Sequence, residues 1–387
     1  MADRNSGRVT QIFTTLSYRG FLFLRNPRPK MTRYLVLRSG AAILCGVEAF
    51  SRKLAQHLGP RGRSQELDFD LKSLSRSIAS CDAVVLNFPM VAWKKRLVEP
   101  LVAAAIARLK GKKVTVILHE WASLDWKRRL ALWPVTRLAD AILFSSPEIR
   151  DEWKQRRWSR YGKTSLGIIP IPPNLSPKES PSVGAAAHAI GEHRRAGRII
   201  IGQFGSIYPK KNSVELLAIA RALMNAGHDV FVVFVGSFIK AMDNVEEDFK
   251  RAVEEQDLDG RVLVTGYIGT DDEVFSAFRE IDVFCYRFAE GLTSRRGSVL
   301  AAALSGRKVV VNAPQRPDAL AHHSLFQALI ENGNIVTCPA EADIDAMAKA
   351  VVVASDSGAP PALDLDHEIA RLWDNNVSEL DRVQRAG

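Results

Sequence analysis

Residues 286–306 read YRFAEGLTSRRGSVLAAALSG. An apolar strand ends at Cys285, and a loop then carries Glu290, Gly291, Leu292 and Thr293. The spacing predicts a helix from about Ser294, with Arg295 and Arg296 in its first turn. A helix N-terminus presents unpaired N–H groups and the positive end of the peptide dipoles, which suits an anion such as a diphosphate. Gly291 permits close backbone approach, and the arginines add charge-assisted hydrogen bonds to phosphate oxygens. Cations in a first turn oppose the helix dipole, so local helix energetics give no reason for them. A bound diphosphate does.

Outward from this stretch, short apolar runs alternate with amphipathic helical ones. Strands are expected at Tyr34–Leu37, Asp82–Phe88, Val114–Leu118 and Ala141–Phe144, with helices from about Val47 to Leu58 and from Val91 to Leu109. After a proline-rich passage (168–174) and an Ala/Gly/Ser-rich one, strands resume at Ile199–Phe204, Val230–Val235, Val262–Thr265, Ile281–Cys285 and Val309–Val311. Strands separated by helices imply βαβ units and parallel sheets. The expected division is a basic tail (1–30), a first Rossmann-like domain (31–175) and a linker (176–196). A second Rossmann-like domain (197–365) and a final helix (366–387) that packs back on the first domain complete it. The class is therefore α/β, with two Rossmann-like domains facing each other across a cleft. The first strand begins just after Met31, which makes Met31 an alternative start.

The chain has 387 residues, 47% hydrophobic and 25% charged, the composition of a globular protein with room for two cores. Residues 1–196 hold 34 Lys+Arg against 15 Asp+Glu, a net +19, and the remainder nets −9 within the total of +10. Halves of opposite sign suggest different partners. The four cysteines, Cys45, Cys81, Cys285 and Cys338, are widely spaced, which suggests neither a disulfide framework nor a zinc site. No apolar run approaches the ~20 residues of a membrane span, and the expected location is cytoplasmic.

Glu290 and Ser298 frame a resemblance to the retaining GT-B glycosyltransferases of family 4, which carry two glutamates separated by seven residues here. Glu290 takes the first place and Ser298 the second. Arg295-Arg296-Gly297-Ser298 looks like a branch in which R-R-G-S replaces the usual ending. Phe204-Gly205-Ser206-Ile207-Tyr208-Pro209-Lys210-Lys211-Asn212 is similar to the family's G-R-x-x-x-x-K-G stretch. Lys211 falls at the phosphate-binding lysine, Ser206 at the usual arginine and Asn212 at the usual glycine. Gly236 resembles the strand-end glycine, and Gly266 lies in a segment similar to the one that lines the base pocket. Gly46-Val47-Glu48 resembles the family's G-G-V-E loop on the acceptor side. His119 matches a histidine that faces the transferred sugar.

The resemblance implies a nucleotide-sugar donor held by Gly205, Ser206, Lys211, Gly236, Gly266 and the 290–298 stretch. Lys211, an arginine and the amides around Leu292–Thr293 would stabilise the leaving diphosphate. Glu290 would hold donor hydroxyls, and His119 and Gly46 would face sugar or acceptor. It also implies retention and no catalytic metal or other cofactor. Three D-x-D runs (68–70, 257–259 and 364–366) lack the context of metal-dependent transferases.

Basic residues cluster with tryptophan at Trp93-Lys94-Lys95-Arg96, Trp126-Lys127-Arg128-Arg129 and 153–158. This pairing suits an anionic membrane surface or a phosphate-bearing, lipid-linked acceptor. The expected setting is surface-polysaccharide assembly on the inner face of the membrane. Nucleic-acid binding competes for the same patch, but no nucleic-acid module accompanies it. A catalytically silent nucleotide-sugar-binding or scaffold protein is the alternative.

Overall fold

The computed structural model describes residues 31–39, 46–67, 70–90, 93, 98–155, 164–175, 184–208, 211–239 and 244–386. The basic stretch before Met31, Cys45, Asp68-Phe69, residues 94–96 and 156–158 beside the tryptophans, the 176–183 part of the linker and Pro209-Lys210 lie outside them.

The first half contains β1 (Tyr34–Arg38), α1 (Gly46–His57), β2 (Gly62–Glu66), α2 (Leu71–Ser80), β3 (Ala83–Phe88) and α3 (Val98–Leu109). It continues with β4 (Lys113–Leu118), α4 (Trp126–Leu138), β5 (Ala141–Phe144), α5 (Pro147–Lys154) and β6 (Ser165–Ile168). Its six strands are parallel, in the order β2-β1-β3-β4-β5-β6. Every residue of β3 and β5 is buried, because helices cover both faces of a parallel sheet.

The second half opens with α6 (Ala185–Arg195), β7 (Ile199–Phe204), α7 (Val214–Asn225), β8 (Val230–Val235), α8 (Val245–Glu255), β9 (Val262–Val264) and α9 (Asp271–Arg279). It closes with β10 (Val283–Tyr286), α10 (Gly297–Ala303), β11 (Lys308–Asn312), α11 (Ser324–Glu331), β12 (Ile335–Cys338), α12 (Ile344–Asp356) and α13 (Leu365–Ala386). This sheet is also parallel, ordered β12-β11-β10-β7-β8-β9. Counting from β9, the strands run third, second, first, fourth, fifth, sixth, which is the doubly wound dinucleotide-binding order.

Three expectations change. Residues 185–195, read as linker, form α6, whose Ala187 and Ile190 are buried; a run of alanines is the best helix former there is. The helix expected from Val91 begins at Val98 among the described residues. The strands β2, β6 and β12 were not expected.

The last helix joins the two cores. The Tyr34 hydroxyl donates to Asp381 at 2.6 Å, and Arg61 pairs with the same carboxylate at 3.0 Å. Trp373 lies with its ring 5.6 Å from Phe50 and 4.3 Å from His57, in the first domain's core. One residue earlier, Leu372 belongs to the second domain's cluster with Leu325, Phe326 and Leu329 of α11. Asn376, fully buried, donates to the Pro170 carbonyl in the crossover between the domains. Replacing Trp373 with alanine should destabilise the protein by about 3–5 kcal/mol, read as a lower urea midpoint at unchanged slope. A loss below about 1 kcal/mol would mean that α13 does not hold the first domain.

Candidate active site

In the second sheet the strand order reverses between β7 and β10, and open α/β sheets bind ligands beyond the carboxyl ends of such strands. Phe204 ends β7 and Tyr286 ends β10. The Tyr286 hydroxyl ties the two to α10: it accepts from the Phe204 amide at 2.9 Å and donates to the Ser298 carbonyl at 3.3 Å. Burial pushes this phenol far above its ordinary range, so it stays neutral.

Lys211 lies under this junction, 5% exposed, with its ammonium hydrogen-bonded to the Phe204 carbonyl and 5.9 Å from the Tyr286 ring centre. Among the described residues no carboxylate forms an ion pair with it. Burial, and then the nearby Arg296 guanidinium, pull its pKa down to about 7. Gly205 packs directly against this ammonium. Its φ is +107°, and a Cβ there would stand 2.6 Å from Lys211 Nζ and 3.7 Å from Ser298 Cβ. Asn212, where the resemblance has glycine, has φ +54°, a left-handed conformation that asparagine tolerates better than most side chains.

The 290–298 stretch is built differently from the expectation. Helix α10 begins at Gly297, because the Arg296 amide donates to the Thr293 carbonyl and the Gly297 amide to the Arg295 carbonyl in a tight turn first. Arg295 and Arg296 therefore precede the helix. The Leu292 amide donates to the Asn312 carbonyl and its side chain is wholly buried, so this residue offers no donor to a ligand. Gly291, φ +72°, makes its close approach to the protein's own backbone: a Cβ would lie 2.3 Å from the Ala313 carbonyl oxygen. Arg296 stacks over Phe288 at 4.0 Å and pairs with Glu290 at 2.7 Å.

On the facing domain, His119 follows β4 and is 4% exposed. Its Nε2 is 3.1 Å from Asn87 Oδ1, and its ring meets Phe50 edge-on at 5.0 Å. Burial pushes its pKa down to about 4, so the imidazole is neutral at physiological pH. Gly46 is the first residue of α1. Glu48 is buried and holds β1 to α1, accepting from the Ser39 amide and hydroxyl and from Arg38.

One cleft of about 780 Å³ between the domains gathers Gly46, His119, Glu290, Thr293, Arg295, Arg296 and Ser298. Gly205, Ser206, Lys211, Gly236, Gly291 and Leu292 are not on its wall. Gly236 packs against the Gly205 carbonyl instead, and Gly266 lies in a separate groove with Phe238 and Phe249. Sequence reasoning missed Tyr286, Phe288 and Asn312. Asn312 is buried and grips Phe288 through both its amide and its carbonyl, while also donating to Ala340. A lone polar residue ending an apolar strand was the available signal.

Among the described residues no three His, Cys, Asp or Glu side chains converge as metal ligands would. Of the D-x-D aspartates, Asp70 caps α2, Asp257 pairs with Arg221 at 3.2 Å and Asp364 accepts from the His367 amide.

Neither a family model nor a curated protein matches the sequence. Solved structures do. HepE from Anabaena, in complex with UDP-glucose, aligns with a TM-score of 0.56 at 15% identity over 92% of this chain and 97% of its own. A glycosyltransferase from Rickettsia africae gives 0.56 at 12% identity, over 92% and 99%. The fold is GT-B. Sucrose-phosphate synthase from Thermosynechococcus elongatus, at 0.53 and 15% identity over 91% and 98%, has the same architecture.

A polyanion beside Lys211 would raise the pKa of its ammonium from about 7. Binding then takes up a proton between the free and bound pKa values, and affinity falls as pH rises through that window. Calorimetry of pyrophosphate binding at pH 8, in two buffers of different ionisation enthalpy, should register this uptake, and Lys211→Met should abolish it. Equal heats in both buffers for the unmodified protein would remove Lys211 from the anion site.

Proposed function

We propose that this chain is a glycosyltransferase that binds a nucleotide-sugar on its second domain and passes the sugar to an acceptor on its first. The observation that carries the reading is the buried, carboxylate-free Lys211 ammonium with Arg296 beside it, at the strand-order reversal of a doubly wound sheet. Two like charges held together lower the cost of binding a third of opposite sign. As the bond between sugar and phosphate loosens, negative charge grows on the leaving diphosphate, where such fixed cations act most strongly. With serine at 206 and 298, Lys211 and Arg296 supply that charge. Glu290, 54% exposed at its side chain, faces donor hydroxyls, and neutral His119 positions the sugar from the opposite wall. Retention of configuration and independence of metal follow from the family resemblance.

HepE was solved with UDP and with UDP-glucose, which supports a nucleoside-diphosphate sugar as the donor class. The acceptor in this reading is lipid-linked or a polysaccharide precursor. The enzyme would work attached peripherally to the inner face of an anionic membrane, as the net +19 of residues 1–196 favours.

A thermal-shift screen of UDP, GDP, ADP and their sugars should find at least one stabilising ligand, since a ligand that binds only the folded state raises the midpoint. Lys211→Ala and Arg296→Ala should each remove the response. Wild-type shifts in both variants would dissolve the donor-site assignment. Nucleotide release from the responding donor, with membrane extract as acceptor, should persist in chelator. Serine in place of the second glutamate favours one other reading, a silent nucleotide-sugar-binding protein, which binding without turnover across the panel would identify.

A further inference from the structure

The three tryptophan-basic clusters of the sequence are not equivalent in the fold. Trp93 is 1% exposed and Trp153 8%, both in the first domain's core. Trp126 is 65% exposed. Among the described residues ten large hydrophobic side chains are exposed, and three of them, Trp126, Leu130 (51%) and Trp133 (38%), stand on α4. Their spacing is i, i+4 and i+7. At about 100° per residue this aligns them, together with Arg137, within roughly 60° of the helix circumference. Leu132 and Val135, on the other side, are buried in the core and fix which face points out.

Charge decides what covers this stripe. The helix carries Lys127, Arg128, Arg129 and Arg137 and no carboxylate. Lys127 lies beside the Trp126 ring, with Nζ 5.7 Å from its centre. Two exposed indoles, a leucine between them and flanking cations match the boundary between anionic headgroups and acyl chains. Position supplies a second argument. The first turn of α4 sends Arg128 into the interdomain cleft, and Leu124 and Glu120, just before the helix, line it too. The stripe is thus about one helix diameter, ~10–12 Å, from the cleft. The polar head of a membrane-held acceptor can cross that distance without leaving the bilayer.

We infer that the outer face of α4 is the protein's membrane-docking surface, with Trp126, Leu130 and Trp133 entering the headgroup layer of an anionic bilayer and Lys127 and Arg137 contacting its phosphates. The inference deepens the proposed function, since it gives the acceptor a route from the lipid to the cleft. It is tested on the full chain with vesicles of phosphatidylcholine, with and without 30 mol% phosphatidylglycerol, so that the lipid arm does not depend on any nucleotide. Sedimentation with the anionic vesicles is expected at low salt, fading as salt rises. Brominated acyl chains should quench part of the tryptophan emission.

The triple variant Trp126→Ser, Leu130→Ser, Trp133→Ser should lose at least tenfold in vesicle partitioning and all of the quenching. These side chains are exposed, so its circular dichroism and its thermal shift with the responding nucleotide should match the unmodified protein. Lys127→Gln with Arg137→Gln should weaken binding and flatten the salt dependence while leaving residual quenching. Absence of vesicle binding at low salt, or equal binding by the triple variant, would overturn the inference. So would concentration-dependent self-association that the triple variant abolishes without any vesicle binding, which would make the stripe a contact between copies. If vesicles bind through α4 and no nucleotide shifts the melting curve, the glycosyltransferase reading fails and the docking surface stands.

Discussion

An ammonium group sits 5% exposed where β7, β10 and α10 meet, and no carboxylate among the described residues neutralises it. Burying a charge in this way is costly unless something pays the desolvation back. The surrounding structure is arranged around that cost without removing it. The Phe204 carbonyl takes one hydrogen bond, the Tyr286 ring offers its face and the Tyr286 hydroxyl braces the strand end against α10. Gly205 puts no side chain against the ammonium, and Gly236 puts none against the Gly205 carbonyl. Nearby, Arg296 adds a second positive charge that Glu290 only partly balances. It is this arrangement that the proposed function completes with an anion.

That site matters because it faces another one. Parallel strands release their loops at a common edge, and the two sheets present these edges to one cleft. The domains are held there by α13, which places Trp373 in one core and Leu372 in the other, and by the crossover that Asn376 and His323 fasten. His323 is wholly buried, contacts the Ile171 carbonyl at 3.1 Å and caps α11 through the Phe326 amide; burial pushes its pKa down to about 4. Neutral His119 lies on one wall with Glu120 and Arg128, and the Arg295–Arg296 turn lies on the other. In the proposed function a donor would be held by its diphosphate at the cationic turn, with its sugar toward His119.

Much of this was legible in the sequence, for physical reasons that also mark where legibility ended. Strands buried on both faces are continuous apolar runs, so β3, β5, β7 and β8 could be bounded to within a residue. The three strands that escaped notice, β2, β6 and β12, are all sheet edges. β2 reads GRSQE and has no fully buried residue, so it carries no hydrophobic signal. The cationic 290–298 stretch suggested an anion site from sequence, but its turn geometry depends on Asn312, fourteen residues beyond Ser298, and could not be read locally. The exposed and buried tryptophans have the same basic neighbours in sequence, and only the packing of α4 distinguishes them.

A crystal structure with a bound nucleoside diphosphate tests the central claim most directly. A terminal phosphate oxygen is expected within hydrogen-bond distance of both Lys211 Nζ and the Arg296 guanidinium, reached past Gly205, with the nucleoside on the second domain. A diphosphate bound elsewhere, or one in the cleft with Lys211 still directed only at the Phe204 carbonyl, would contradict it.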